Sequence, residues 1–336
     1  MTPSYLLRLL CLSLACFFLV HLALGAMVAC GASRCVRLAD RMKPRTAARF
    51  LLTLRLFPGL GALLAVVGIC VPSYLWLEPR GASEDVGAVC LAAAVLGAAI
   101  CGISAARVAN ALVISRRYIR DCQRAGERIL IAGEPVWVAK GRGRIIALAG
   151  MLRPLVLISH DSFAALADSS DDELHLVLRH ERGHAVSHDN LKRLALTLAP
   201  DVLPFVRPGF STIESAWAKF AEWAADDYAA MGDPSRSISL ASALVRVARI
   251  PAGAATLAFL TPFIDGDFSA RVDRLLADPV PMEQEWSRST GAFWRRAFGA
   301  RAFWASIAIA ATAMFLILLR PATLLSAHML LERLIK

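Results

Sequence analysis

Apolar residues in this chain gather into four long runs, Leu9 to Ala32, Leu51 to Leu77, Val86 to Val113 and Ala302 to Leu319. A helix rises about 1.5 Å per residue, so about 20 apolar residues cross a bilayer core, and each run predicts a membrane-spanning helix. The first three are nearly uncharged, Arg55 and Arg107 being the exceptions. The fourth is the shortest and also fits a buried helix of a soluble domain. Small residues and Cys30 end the first run, as in a secretory or lipoprotein signal. Its length, and the basic cluster Arg34, Arg37, Arg41, Lys43, Arg45 and Arg49 behind it, favour a retained helix, because such clusters stay in the cytoplasm.

Between the third and fourth runs the periodicity changes. Short β-branched and apolar segments at Arg128 to Ile131, Val136 to Ala139, Ile145 to Leu148 and Leu155 to Ile158 are punctuated by Gly133, Pro135, Gly141, Gly143, Gly150 and Pro154, which predicts a small sheet. Ser170-x-x-Glu173 then forms a capping box ahead of a helix expected over Asp171 to Ser187, with Leu174, Leu176, Val177, Ala185 and Val186 as packing positions. Further helices are expected over Ser211 to Met231, which stops at Gly232-Asp233-Pro234, and over Ile238 to Ala248 and Ala270 to Ala277. Leu191 to Val206 is apolar but broken by Pro200, Asp201 and Pro204. It reads as a segment packed on the preceding helix or lying at the membrane surface, not crossing.

Composition supports the membrane reading: 57% of residues are hydrophobic and the mean hydropathy is +0.54. The net charge of +10 is placed where it sets topology. Arg116, Arg117, Arg120 and Arg124 follow the third run, Arg295, Arg296 and Arg301 precede the fourth, and Glu78 to Asp85 is net acidic. Positive-inside counting puts the N-terminus outside and residues 115–301 in the cytoplasm, against anionic lipid. No basic stripe is interleaved with aromatics, so no direct nucleic-acid partner is expected. All eight cysteines fall between Cys11 and Cys122, which excludes a disulfide framework or a cysteine-ligated metal in the polar segment.

The chemistry sits at His180-Glu181-Arg182-Gly183-His184. Residues i and i+4 stack on one helix face, so two imidazoles reach one tetrahedral zinc from adjacent turns. Glu181, offset from both, is placed to take a proton from a metal-activated water. The competing explanation is a polar face of a surface helix. An open site needs a third protein ligand. A third histidine six residues past the second is excluded by Asn190, whereas Glu222-x-x-x-Asp226 offers Glu222 as ligand and Asp226, one turn on, as acceptor from a ligand histidine. A solvated acidic helix face is the alternative there. His188 cannot share the ion, since three imidazoles along one helix span about 12 Å, and is expected at the surface or behind the ligands. Asp189 and Asn190 end the helix where they could cap it or orient the site.

With these motifs the chain resembles the BlaR/MecR-type antirepressor metallopeptidases of bacterial β-lactam sensor-transducers. The likeness is carried by Gly150-Met-Leu-Arg-Pro-Leu-Val-Leu-Ile158, Glu173-Leu174, His180-Glu-Arg-Gly-His184, Asp189-Asn-Leu191, Glu222-x-x-x-Asp226 and Arg271-Val-Asp-Arg-Leu-Leu276. It covers roughly residues 115–279. The resemblance implies a membrane α-helical protein of about four transmembrane helices, with residues 1–114 holding three. An α+β zincin-like (gluzincin) peptidase domain over 115–301 faces the cytoplasm of a bacterial inner membrane, and the last helix and a short tail occupy 302–336. It further implies zinc (Zn2+) held by His180, His184 and Glu222, with Glu181 as general base, and a protein or peptide substrate such as a cytoplasmic transcriptional repressor. It implies a strand at Leu155 to Ile158 that offers an edge to that substrate, and Arg271 as oxyanion stabiliser. Too little chain follows Leu319 for the penicillin-binding sensor domain of those receptors. The alternatives are an HtpX/Ste-like quality-control peptidase, which places membrane helices between the histidines and the glutamate, and a non-catalytic scaffold or receptor module that keeps the fold.

Overall fold

Once water is removed, a backbone can satisfy its own polar groups only in a helix or a closed barrel, and the first three apolar runs are helices. They are α1 (Pro3–Ala39), α2 (Pro44–Ala65) continued through a π-helical turn (Val66–Cys70) into α3 (Val71–Leu77), and α4 (Ala88–Ala125). These belong to a computed structural model that describes residues 3–78, 86–131, 133–140, 143–150, 154–167, 171–201, 203–251, 261–262, 268–277 and 329. The π-helical turn sits just ahead of Pro72, whose missing amide interrupts regular helical bonding. Tyr5–Ala39, Pro44–Leu77 and Ala88–Ala125 are long and apolar enough to cross a membrane. Their outer faces carry side chains such as Leu7, Leu64 and Val89, which are exposed and suit contact with lipid. Their inner faces meet around Tyr5, Leu12, Phe18, Tyr74 and Ala93. Gly97 lets α4 close on α1, since a Cβ there would lie 2.4 Å from the Leu14 carbonyl oxygen. The acidic loop 79–85, Ser170 of the expected capping box and the fourth apolar run lie outside the described residues.

The polar segment forms β1 (Glu127–Ile131), β2 (Glu134–Ala139), β3 (Ile146–Ala149), β4 (Leu155–Ser159) and β5 (Thr261–Pro262), in the order β1-β2-β4-β3-β5. All neighbours are antiparallel except β2 and β4. The four expected strands lie where the periodicity put them. The expectation that Leu155 to Ile158 offers an edge is corrected, however, because β4 is paired on one side by β2 and on the other by β3.

Helices α5 (His160–Ala167), α6 (Asp171–Ser187), α9 (Pro234–Ala248) and α10 (Phe268–Leu276) enclose a core of Val136, Ile158, Leu166, Val177, Leu240 and Leu244. Asp233 caps α9 by accepting from the Ser235 amide at 2.9 Å. Glu173 accepts from Ser242 Oγ at 2.8 Å and Arg246 Nε at 3.2 Å, tying α6 to α9. Of the expected packing positions on α6, Leu174, Leu176 and Val177 are buried, Ala185 is half-buried and Val186 is exposed.

The segment Leu191 to Val206 folds as α7 (Asp189–Leu198) and a turn leading into α8 (Arg207–Ala230). At ten residues α7 spans about half a bilayer core. The first half of α8 packs directly on α1 and α2: Phe210, Ile213, Trp217 and Phe220 share a core with Val28, Ala32, Ala47 and Leu51. Gly209 permits this approach, an added Cβ falling 2.6 Å from Ala29 Cα. The two charged exceptions in the apolar runs find partners here. Arg55, 1% exposed, donates to Glu214 Oε1 at 2.6 Å, donates to the Ala199 carbonyl at 3.1 Å, and lies 4.2 Å over the Phe210 ring. Arg107 pairs with Asp201. Buried cations in apolar helices are tolerated when paired in this way.

Glu214→Ala strands the Arg55 charge among apolar helices. A loss of about 2–3 kcal/mol is expected, short of the full cost of orphaning a buried charge because Glu214 is 32% exposed. The shift in unfolding midpoint of the detergent-solubilised protein measures it, and Glu214→Gln, which keeps an acceptor, is expected to lose less.

Candidate metal centre

Helices α6 and α8 cross at Gly183. A Cβ on that residue would sit 3.2 Å from Ala225 Cα and 3.2 Å from the Tyr228 ring. The absent side chain therefore sets how close the two helices come, and with it the distance from His180 and His184 on α6 to Glu222 on α8. All three side chains are buried, and their ligand atoms lie within 4.8 Å of one another. His180 Nε2 and His184 Nε2 are 3.2 Å apart. Each is 3.5 Å from a Glu222 oxygen. Donor atoms about 2.0–2.1 Å from a tetrahedral ion stand about 3.3 Å apart, so the triangle is the right size to hold a metal.

The far nitrogen of each imidazole is fixed. His184 Nδ1 lies 2.8 Å from Asp189 Oδ2 and His180 Nδ1 lies 2.9 Å from Asp226 Oδ1. A carboxylate on Nδ1 holds the proton there and turns the Nε2 lone pair inward. Asp226 thus stands against a ligand-set histidine, as its spacing from Glu222 led us to expect. Asp189 does the same for the second imidazole, a partner for which the sequence offered only a suggestion. Its position depends on the backbone: His188 adopts a left-handed conformation with φ of 57°, which turns the chain so that α7 starts with Asp189 facing back toward α6. The His188 side chain is exposed and contacts the Val186 carbonyl. Asn190 donates to the carbonyls of Leu148 (3.0 Å) and Gly150 (2.8 Å), which anchors α7 to β3.

Arg271 is corrected from its expected role. Its guanidinium is 2% exposed, holds both Asp226 oxygens at 2.7 and 3.0 Å, and lies 3.1 Å from Glu222 Oε2. It neutralises the buried acidic pair instead of facing a substrate.

Burial opposes charge on every acid here, and the neighbours decide the outcome. For Glu222 burial is outweighed by His184 and Arg271, and its pKa falls well below the usual range. For Asp226 burial is outweighed by Arg271 and His180, to about 2. Glu181 is different: burial dominates over His180 and His184 and raises it to about 7. Neither of its oxygens has a hydrogen-bond partner among the described residues. For His184, burial is outweighed by Glu222 and Asp189, which raise it to about 10. Two acids of opposite disposition in one buried cluster form the arrangement from which ligand and proton-transfer roles are built.

No family model, curated protein or solved structure matches the chain.

Two outcomes are expected. Asp189→Ala and Asp226→Ala each release an imidazole from its fixed orientation and should weaken metal affinity about 10–100-fold, as read by chelator competition. In the metal-free protein His184 is protonated at neutral pH. Because its folded pKa of about 10 lies above the unfolded value of about 6.5, its pairing stabilises the fold fully below the lower figure and is lost as pH rises through the higher one. A metal must displace that proton, so affinity should rise about tenfold per pH unit between roughly pH 7 and 9; a flat titration would contradict the arrangement.

Proposed function

We propose that this chain is a membrane-embedded zinc metalloendopeptidase. The observation that carries the reading is the buried triangle of His180, His184 and Glu222, sized for a tetrahedral ion, with Glu181 beside it, buried and without a hydrogen bond among the described residues. Two imidazoles and one carboxylate form a borderline ligand set that suits zinc and leaves a fourth position open. His180, His184 and Glu222 would hold the ion. When bound, zinc polarises the scissile carbonyl and makes water a competent nucleophile near neutral pH.

The protein's own groups do the rest. Asp189, Asp226 and Arg271 keep the ligand atoms in place. Glu181 accepts the proton of the attacking water as the new C–O bond forms and passes it to the amide nitrogen as the C–N bond breaks. A carboxyl lifted to about 7 by burial exchanges protons near neutral pH, and an adjacent cation draws it toward the ionised form that a base requires.

The substrate class is a protein or peptide. By the resemblance of its motifs, the reaction is regulated proteolysis on the cytoplasmic side of a bacterial inner membrane, with a transcriptional repressor as the expected type of target. The ten-residue α7 favours this over the HtpX/Ste-like quality-control reading, in which membrane helices typically stand between the histidines and the glutamate.

Glu181→Ala should retain zinc and lose cleavage by about 10²- to 10⁴-fold, whereas Glu222→Gln should lose zinc. Comparing the proteomes of cells carrying wild type and Glu181→Ala should reveal a protein shortened only by the former. Identical proteomes together with a zinc-free wild type would favour a non-catalytic scaffold.

A further inference from the structure

Hydrolysis of a peptide bond drives negative charge onto the carbonyl oxygen, and a buried site must offer that charge a donor. The resemblance of the chain's motifs implies Arg271 for this role, but Arg271 is already engaged by Asp226 and Glu222. Two further cations of α6 and α7 are similarly occupied: Lys192 lies 2.7 Å from Asp189 and Arg182 pairs with Glu134. Arg193 is not. It follows Asp189 by one helical turn of α7, so both project from the same face, and Asp189 is the residue that orients His184. The Arg193 side chain is 16% exposed and its Nη2 stands 3.9 Å from Glu222 Oε1, beyond hydrogen-bond reach. The guanidinium lies 5.5 Å from the centre of the Trp217 ring. Its Nε is buried without a partner, and the side chain makes no hydrogen bond among the described residues.

A guanidinium held on an aromatic face, and ion-paired to the nearest carboxylate without a hydrogen bond to it, is a donor with unused capacity. We propose that Arg193 is the oxyanion-stabilising residue of the reaction, an assignment that rests on the metallopeptidase reading above. Water adds to the carbonyl carbon, Glu181 takes the proton, and the π-electron pair moves to the carbonyl oxygen, where the Arg193 N–H groups donate to it. When the pair returns, the C–N bond breaks and the amine leaves with the proton from Glu181. Arg193 therefore touches the reacting oxygen most strongly between ground states, and its removal should lower kcat and leave KM nearly unchanged.

The test uses full-length protein in detergent and a quenched fluorescent peptide, drawn from a random library, that wild type cleaves and Glu181→Ala does not. Arg193→Met keeps the apolar stem against Trp217 and removes the charge. Zinc content should stay at the wild-type level and kcat should fall about 10²- to 10³-fold. Affinity for a phosphinic peptide, whose tetrahedral P–O⁻ mimics the adduct, should fall by the same factor. Affinity for acetohydroxamate, which addresses the metal alone, should hold. Arg193→Lys should recover part of the loss, and it replaces Arg193→Met under the same criteria if the latter does not fold.

A rise in KM at unchanged kcat would mean that Arg193 binds a substrate carboxylate, and the proposal would be wrong. Loss of zinc, or equal weakening of both inhibitors, would assign Arg193 to the scaffold and also overturn it. A wild type that binds no zinc, or for which no library peptide separates it from Glu181→Ala, defeats the peptidase reading, and this assignment falls with it. Intact dependence on Glu181 with an unaffected Arg193→Met defeats this assignment alone.

Discussion

An imidazole has two nitrogens, and fixing one decides what the other can do. In this protein Asp226 and Asp189 take the Nδ1 positions of His180 and His184, which leaves two Nε2 atoms facing each other at 3.2 Å in a buried cluster. Two nitrogens that close repel when both present lone pairs and clash when both carry protons. The arrangement is comfortable when a proton or a cation lies between them. Glu222 supplies negative charge to the same point, and Arg271 keeps that charge from being excessive. Every other feature of the centre serves to hold these few atoms in place against the cost of burying them.

Helix α8 joins that centre to the long apolar helices. Its first half belongs to the core formed by α1 and α2, and its second half carries Glu222 and Asp226. Arg55 grips Glu214 two turns ahead of Glu222, and Gly183 and Gly209 remove side chains at two close approaches of α8 to its neighbours. The ligand carboxylate is consequently referenced to the apolar helices as much as to α6. A displacement of α2 or α1 has a short, densely packed route to the ligand set, because close-packed helices shift as units and do not deform smoothly.

Electrostatics separate carboxylates that look alike in the sequence. Glu181 and Glu222 are both fully buried glutamates within reach of the same two histidines. Glu222 also has Arg271 at 3.1 Å and stays ionised, whereas burial dominates at Glu181 and pushes it up to about 7. One is suited to hold a cation and the other to carry a proton, and in the proposed chemistry these are the two tasks.

The three apolar helices, the strand segments and the helical stacking of His180 over His184 were legible along the chain, because each depends on spacing between residues near in sequence: runs of about 20 apolar positions, short alternating segments, and an i, i+4 pair. Glu222 and Asp226 could be matched to the histidines by chemistry, though nothing local brings them near; the approach of α6 to α8 across Gly183 does so. The edge position expected of Leu155 to Ile158 was wrong because strand order is a long-range property, and β2 pairs across the chain to β4. Arg271 was misread for a similar reason: a lone arginine in a helix gives no sign of which acids will surround it. Asp189 depends on one left-handed residue at His188, and Arg193 on the wall that Trp217 forms beside it. Short-range periodicity decides which element forms and which face is apolar. The partner a buried charge finds is decided only when distant segments pack and water leaves.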